Sequence, residues 1–144
     1  MVIVMKKGFT LVELLAVIAI LATILGMIVI SVSYYSGKRK NKDYNNIKEI
    51  IEKNTEQLIK TNTNYSTKVD NKLQTQDDAC KITYDVLINN NLMTDDTKNP
   101  VTGKNIDSRS YVKVSIDSSY DYNFEFVYVD DDKPASEILD NCLN

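Results

Sequence analysis

The sequence predicts an α+β protein: a long amino-terminal α-helix, part membrane stem and part amphipathic, packed on a small antiparallel β-sheet head with short helices. Three observations predict it. Charge nearly vanishes between Gly8 and Tyr35, an apolar stripe at helical spacing follows, and residues 111–128 alternate with a period of two.

From Leu14 to Tyr35 the apolar run is 22 residues, or about 33 Å as a helix, enough to cross a hydrocarbon core of roughly 30 Å. Tyr34 and Tyr35 suit the far interface, and Lys38, Arg39, Lys40 and Lys42 end the run in water. No proline interrupts it, and Gly26 weakens it by only about 1 kcal/mol relative to alanine. Glu13 is the sole charge ahead of Lys38 once Lys6 and Lys7 are passed. Deep in lipid a carboxylate costs about 2.5–3.5 kcal/mol. Its alternatives are a shallow, hydrated position or a partner.

The stretch Lys6-Lys7-Gly8-Phe9-Thr10-Leu11-Val12-Glu13-Leu14-Leu15 and the apolar helix behind it resemble the class III signal of type IV prepilins and pseudopilins. The resemblance implies cleavage by a prepilin peptidase after Gly8, N-methylation of the new amino terminus at Phe9, and a role for Glu13 in setting subunit register. It also implies partners: identical or related pilin subunits, the peptidase and a pilus assembly platform. The expected course is from the cell membrane, single-pass with the head outside, to an extracellular filament serving motility or adhesion, DNA uptake (competence) or protein secretion. A physical reason for register is at hand. A neighbour's α-amine can neutralise the Glu13 carboxylate among packed helices, and an unpaired buried charge is strongly penalised.

Two features depart from the pattern. Met1-Val2-Ile3-Val4 is an apolar head on a leader that could start at Met5, and the helix-breaking proline of many major pilins, expected near Ile30, is absent. Counting Lys6 and Lys7 against the four cations at 38–42 points the head inward, whereas the resemblance points it outward. An ordinary signal peptide cut near Ser31-Val32-Ser33 competes weakly, because the apolar segment is too long.

The domains expected are therefore a leader at 1–8, a transmembrane and filament-core helix at 9–35, its amphipathic continuation at 36–62, and a globular α+β head at 63–144. Tyr44, Ile47, Ile51 and Leu58 share one face of the continuation, and no glycine or proline interrupts 38–62. Residues Thr61 to Gln76 turn polar and read as a loop, in which Asn64-Tyr65-Ser66 fits a glycosylation sequon. Asp77-Asp78 then introduce a short helix over Ala79–Asn90, with Cys80, Tyr84, Leu87 and Ile88 on one face. Asn89, Asn90 and Asn91 suit its left-handed end.

Asn99-Pro100-Val101-Thr102-Gly103-Lys104 is turn chemistry. It also resembles a loop of Gram-positive pseudopilin heads; a plain connector explains it equally. Val112, Val114 and Ile116 alternate with polar residues, as do Tyr120, Tyr122, Phe124, Phe126 and Tyr128, which predicts a hairpin turning near Ser118-Ser119. Its aromatic face should pack on the long helix. Pro134 can open a last short helix carrying Ile138 and Cys142.

Composition narrows function. The chain has 144 residues, 17 basic and 20 acidic, with no histidine or tryptophan. Without the leader the balance is 15 to 20, net −5, so bulk charge does not predict nucleic acid as a partner. Lacking histidine, it lacks the commonest general base, and no catalytic residue, cofactor or enzymatic activity is predicted. Cys80 and Cys142 are an even pair in an exported head, read as a disulfide over the alternative of two buried thiols. Two cysteines do not make a zinc site. Asp130-Asp131-Asp132 raises calcium, which some related pseudopilin heads bind, but the spacing fails an EF-hand and no metal ligand is assigned. The function expected is a structural filament subunit. The alternative is a single-pass membrane-anchored extracellular binding domain that does not polymerise.

Overall fold

The computed structural model describes residues 10–75, 79–135 and 139–144, and at 25–33 and 75 the backbone alone. Contacts divide the chain into two compact units between Arg39 and Lys40. Helix α1 (Leu11–Thr61) runs through both. The second unit adds α2 (Thr63–Thr75), β1 (Ala79–Thr83), α3 (Tyr84–Asn89), β2 (Tyr111–Ile116) and β3 (Tyr122–Val127). The fold class is α+β, with one three-stranded antiparallel sheet in the order β1-β2-β3.

The last third of α1 supplies the floor of the head. Ile51 and Leu58 are buried, with Tyr44 and Ile47 packed against the same cluster, and Ile59 joins a second one. Burying Ile51 fully stabilises by about 1.5–3 kcal/mol. Thr55, also wholly buried, donates its hydroxyl to the Ile51 carbonyl at 2.8 Å, so its polar atom is satisfied within the helix. Lys53 pairs with Glu49 at 2.6 Å and Lys60 with Glu56 at 2.5 Å on the solvent side. Exposed pairs of this kind contribute only about 0.3–0.5 kcal/mol each.

The polar stretch after Thr61 is helical where a loop was expected. Asn62 separates the two helices and caps the second, its side-chain oxygen accepting the backbone N–H groups of Asn64 at 3.1 Å and Tyr65 at 3.3 Å. Tyr65, Val69 and Leu73 recur at steps of four, which places all three against the core. Three apolar residues suffice because the head covers one narrow stripe.

A second correction concerns residues 79–90. Ala79–Thr83 form a strand, and only Tyr84–Asn89 form a helix. Cys80 and Ile82 alternate with partly exposed neighbours and pair with Val114 and Val112 across β2. Sheet pairing outweighs a helical spacing that fitted Cys80, Tyr84 and Leu87 equally well. Asn91 ends α3 in the left-handed conformation at φ 57°, and Leu92 donates back to the Leu87 carbonyl at 3.0 Å.

The hairpin sits where alternation placed it. Val112 faces Phe126 and Val114 faces Phe124, with Val112 and Phe126 in the cluster of Ile51 and Leu58. Phe126 also donates its backbone N–H to the Glu52 carboxylate at 2.8 Å, tying the free edge of β3 to α1. Tyr120 leaves the expected aromatic ladder. It lies in the turn, exposed, with φ 64°. In the connector, Gly103 takes φ 74°, a conformation that an L side chain would strain. The short helix expected after Pro134 falls partly outside the described residues, as does Ile138. Beyond it Cys142 is not helical: Asn141 bridges Lys81 in parallel, Cys142 donates its N–H to the Lys81 carbonyl at 2.9 Å, and residues 142–143 form a turn.

Candidate functional site

Thr10 precedes α1 and Glu13 lies in its first turn. The Thr10 hydroxyl accepts the Glu13 backbone N–H at 3.3 Å, and the Glu13 carboxylate accepts the Thr10 backbone N–H at 3.0 Å and its hydroxyl at 3.1 Å. This is a reciprocal capping box, which satisfies N–H groups that a helix start leaves orphaned. The carboxylate also meets the positive end of the macrodipole. Thr-x-x-Glu ahead of an apolar run was the signal for it in the sequence, and Thr10 is the partner that sequence reasoning passed over.

Around Glu13 the helix is apolar on every side. Leu11, Val12, Leu14, Leu15, Val17 and Ile18 are all exposed, Leu11 at 75% and Val17 still at 46%. At 100° per residue these positions circle the axis, so no single face can account for them. Thr23, the polar interruption, donates its hydroxyl to the Ile20 carbonyl at 2.8 Å. Among the described residues no helix is long and apolar enough to cross a membrane. The side chains at 25–33, within the apolar run, lie outside that description.

Glu13 in the first helical turn and the apolar residues after it fall within a segment that a family model matches. The model for the prokaryotic N-terminal methylation motif matches residues 3–29. The chain carries a type IV pilin-like prepilin signal. No curated protein and no solved structure matches the chain. The matched segment contains Glu13 and the start of α1, and the head is read from its own chemistry. Gly8 and Phe9, the expected cleavage and methylation positions within the signal, lie outside the described residues.

In the head, Cys80 and Cys142 form a disulfide with Cα atoms 5.1 Å apart, both side chains fully buried. Around it α2 grips the carboxyl end: Lys72 pairs with Asp140 at 3.0 Å, and Lys68 donates to the Leu143 carbonyl at 2.7 Å. Two of the three consecutive aspartates, Asp131 and Asp132, meet cations. Arg109 bridges Asp107 at 2.7 Å and Asp131 at 2.8 Å, and Lys104 meets Asp132 at 3.0 Å. Hydrogen bonds from the Arg109 side chain, then its backbone N–H, hold the Asp107 carboxyl down to about 2. Among the described residues no group of three or more acidic or cysteine side chains is placed to hold a metal. Asn64 of the sequon is exposed in the first turn of α2.

The Tyr122 hydroxyl donates to the Asp70 carboxylate and joins β3 to α2. Burial, then the bond to Asp70, pushes the phenol up to about 12 from an ordinary 10.0. The folded state therefore favours the protonated phenol. Its contribution is whole below pH 10 and is lost as pH rises from 10 to about 12. Urea unfolding across that window should show the wild type losing stability more steeply than Tyr122→Phe, a comparison needed because burial also raises Tyr44 and Tyr84. Parallel curves would remove the bond from the account.

Proposed function

We propose that this chain is a structural subunit of a type IV pilus or pseudopilus. The observation that carries the reading is the prepilin signal in front of a helix whose apolar side chains are uncovered on all sides. Such a surface must be buried by lipid or by other helices. Before processing, the stem would hold the subunit in the membrane with the head outside. After cleavage between Gly8 and Phe9, stems would leave lipid for one another, losing little because both environments are equally dry. Packing supplies cohesion, and Glu13 with a neighbour's methylated Phe9 amine supplies register.

The head fits a structural role. Its arginine pairs with Asp107 and Asp131, Lys72 and Lys104 pair with Asp140 and Asp132, and Tyr84 and Tyr128 pack in the core. Amino-terminal peptide mass spectrometry on protein from its native cells is the test. A chain beginning at N-methylated Phe9 is expected. One retaining Lys6-Lys7-Gly8, or one starting near Tyr34, would overturn the reading in favour of an anchored or secreted binding domain.

A further inference from the structure

Among the described residues, Tyr120 is the most exposed large apolar side chain, at 89%. It stands at the tip of the β2–β3 hairpin, in a tight turn closed by Tyr120 N–H to the Asp117 carbonyl at 3.0 Å and Asp117 N–H to the Asp121 carbonyl at 2.9 Å. The turn sets Tyr120 at φ 64°, the left-handed position that glycine occupies at least cost in such three-residue loops. Neither the core nor the turn explains a tyrosine there. Asp117 and Asp121 flank the loop and are exposed; the Asp117 carboxylate caps the turn, accepting the backbone N–H groups of Ser119 at 2.8 Å and Asp121 at 3.0 Å, and keeps its charge at the tip.

The chain also carries the complement of that tip. Lys38, Arg39, Lys40 and Lys42 put four cations into five residues, directly after Tyr34 and Tyr35, which are 68% and 70% exposed. From position 43 onward there are 11 basic and 19 acidic residues, net −8. Two hairpin tips repel each other, as do two cationic segments, whereas tip and segment attract. A tyrosine face takes lysine and arginine cations as well as a second aromatic edge.

We propose that the Tyr120 tip docks on the Tyr34–Lys42 segment of a second copy of this chain, with Asp117 and Asp121 facing its cations. The inference rests on the filament reading and deepens it. Contact between two different patches is heterologous, and such contacts propagate into open helical assemblies when the rotation does not close. Opposite charge would also steer incoming subunits into one orientation.

The test places the photo-crosslinking residue benzoylphenylalanine at position 120 in the full chain and assembles filaments in cells. Crosslinked dimers joining position 120 to residues 34–42 of another copy are expected. Tyr120→Gly should keep or raise the melting temperature, because it relieves the backbone, while filament yield falls at least tenfold. Crosslinks elsewhere, or undiminished filaments from Tyr120→Gly, would overturn the docking and leave the filament reading standing. If the unsubstituted chain makes no filaments, both fall together.

Discussion

Glu13→Ala is expected to leave a chain that is still anchored and still cut after Gly8, yet absent from sheared surface filaments. Removing one member of a buried charge pair leaves the other uncompensated, at a cost of about 3–5 kcal/mol. That corresponds to roughly 150- to 5,000-fold in the equilibrium for adding each subunit. The loss of a helix cap alone costs only about 1 kcal/mol. Because the cap and the proposed register role fall on the same side chain, alanine does not separate them, and Glu13→Gln does. A glutamine also completes the box with Thr10, giving up only the charge at the macrodipole, about 0.3–1 kcal/mol. It carries no charge to pair with an amine. If Glu13→Gln filaments match the wild type in amount, Glu13 is a cap and the register argument is wrong.

Reducing the Cys80–Cys142 bond is expected to lower the stability of the head by about 4 kcal/mol, the chain-entropy value for a loop of this size. The two cysteines are 62 positions apart in sequence, so the bond closes most of the head into one loop. Against a total of about 5–15 kcal/mol for a typical domain, this is a large share. The packing adds to it. Both sulfurs lie in the cluster of Ile59, Val69, Ile82 and Val114, and the bond holds Asn141 and Cys142 beside β1. Urea unfolding of oxidised and reduced protein measures the difference directly. A shift below about 1 kcal/mol would mean that the Lys72–Asp140 pair and the Lys68 bond already hold the tail, and the entropic account would fail.

The candidate site was legible because its chemistry is local. A charge alone in an apolar run, a glycine after two lysines and a threonine three residues before the glutamate are properties of neighbours in sequence, and no distant contact alters them. The stripe of Tyr44, Ile47, Ile51 and Leu58 and the alternation of Val112 to Phe126 were equally legible, since each repeats one periodicity long enough to exclude the other.

Two segments misled, for opposite reasons. Residues 63–75 looked like a loop because their composition is polar, although Tyr65, Val69 and Leu73 already held a helical spacing. Residues 79–83 fit a helix because Cys80, Tyr84 and Leu87 share one face, but Val112 and Val114 offer Ile82 and Cys80 strand partners far along the chain. Amphipathic periods and end signals act through bonds between neighbours, so the signal, the apolar run, the stripe and the hairpin could be read from sequence alone. Which face a short segment buries, where the disulfide pins the tail, and that Tyr120 leaves the aromatic ladder for an exposed turn depend on distant pairing. These came from the folded chain, because long-range contacts select among local conformations that differ by about 1 kcal/mol or less.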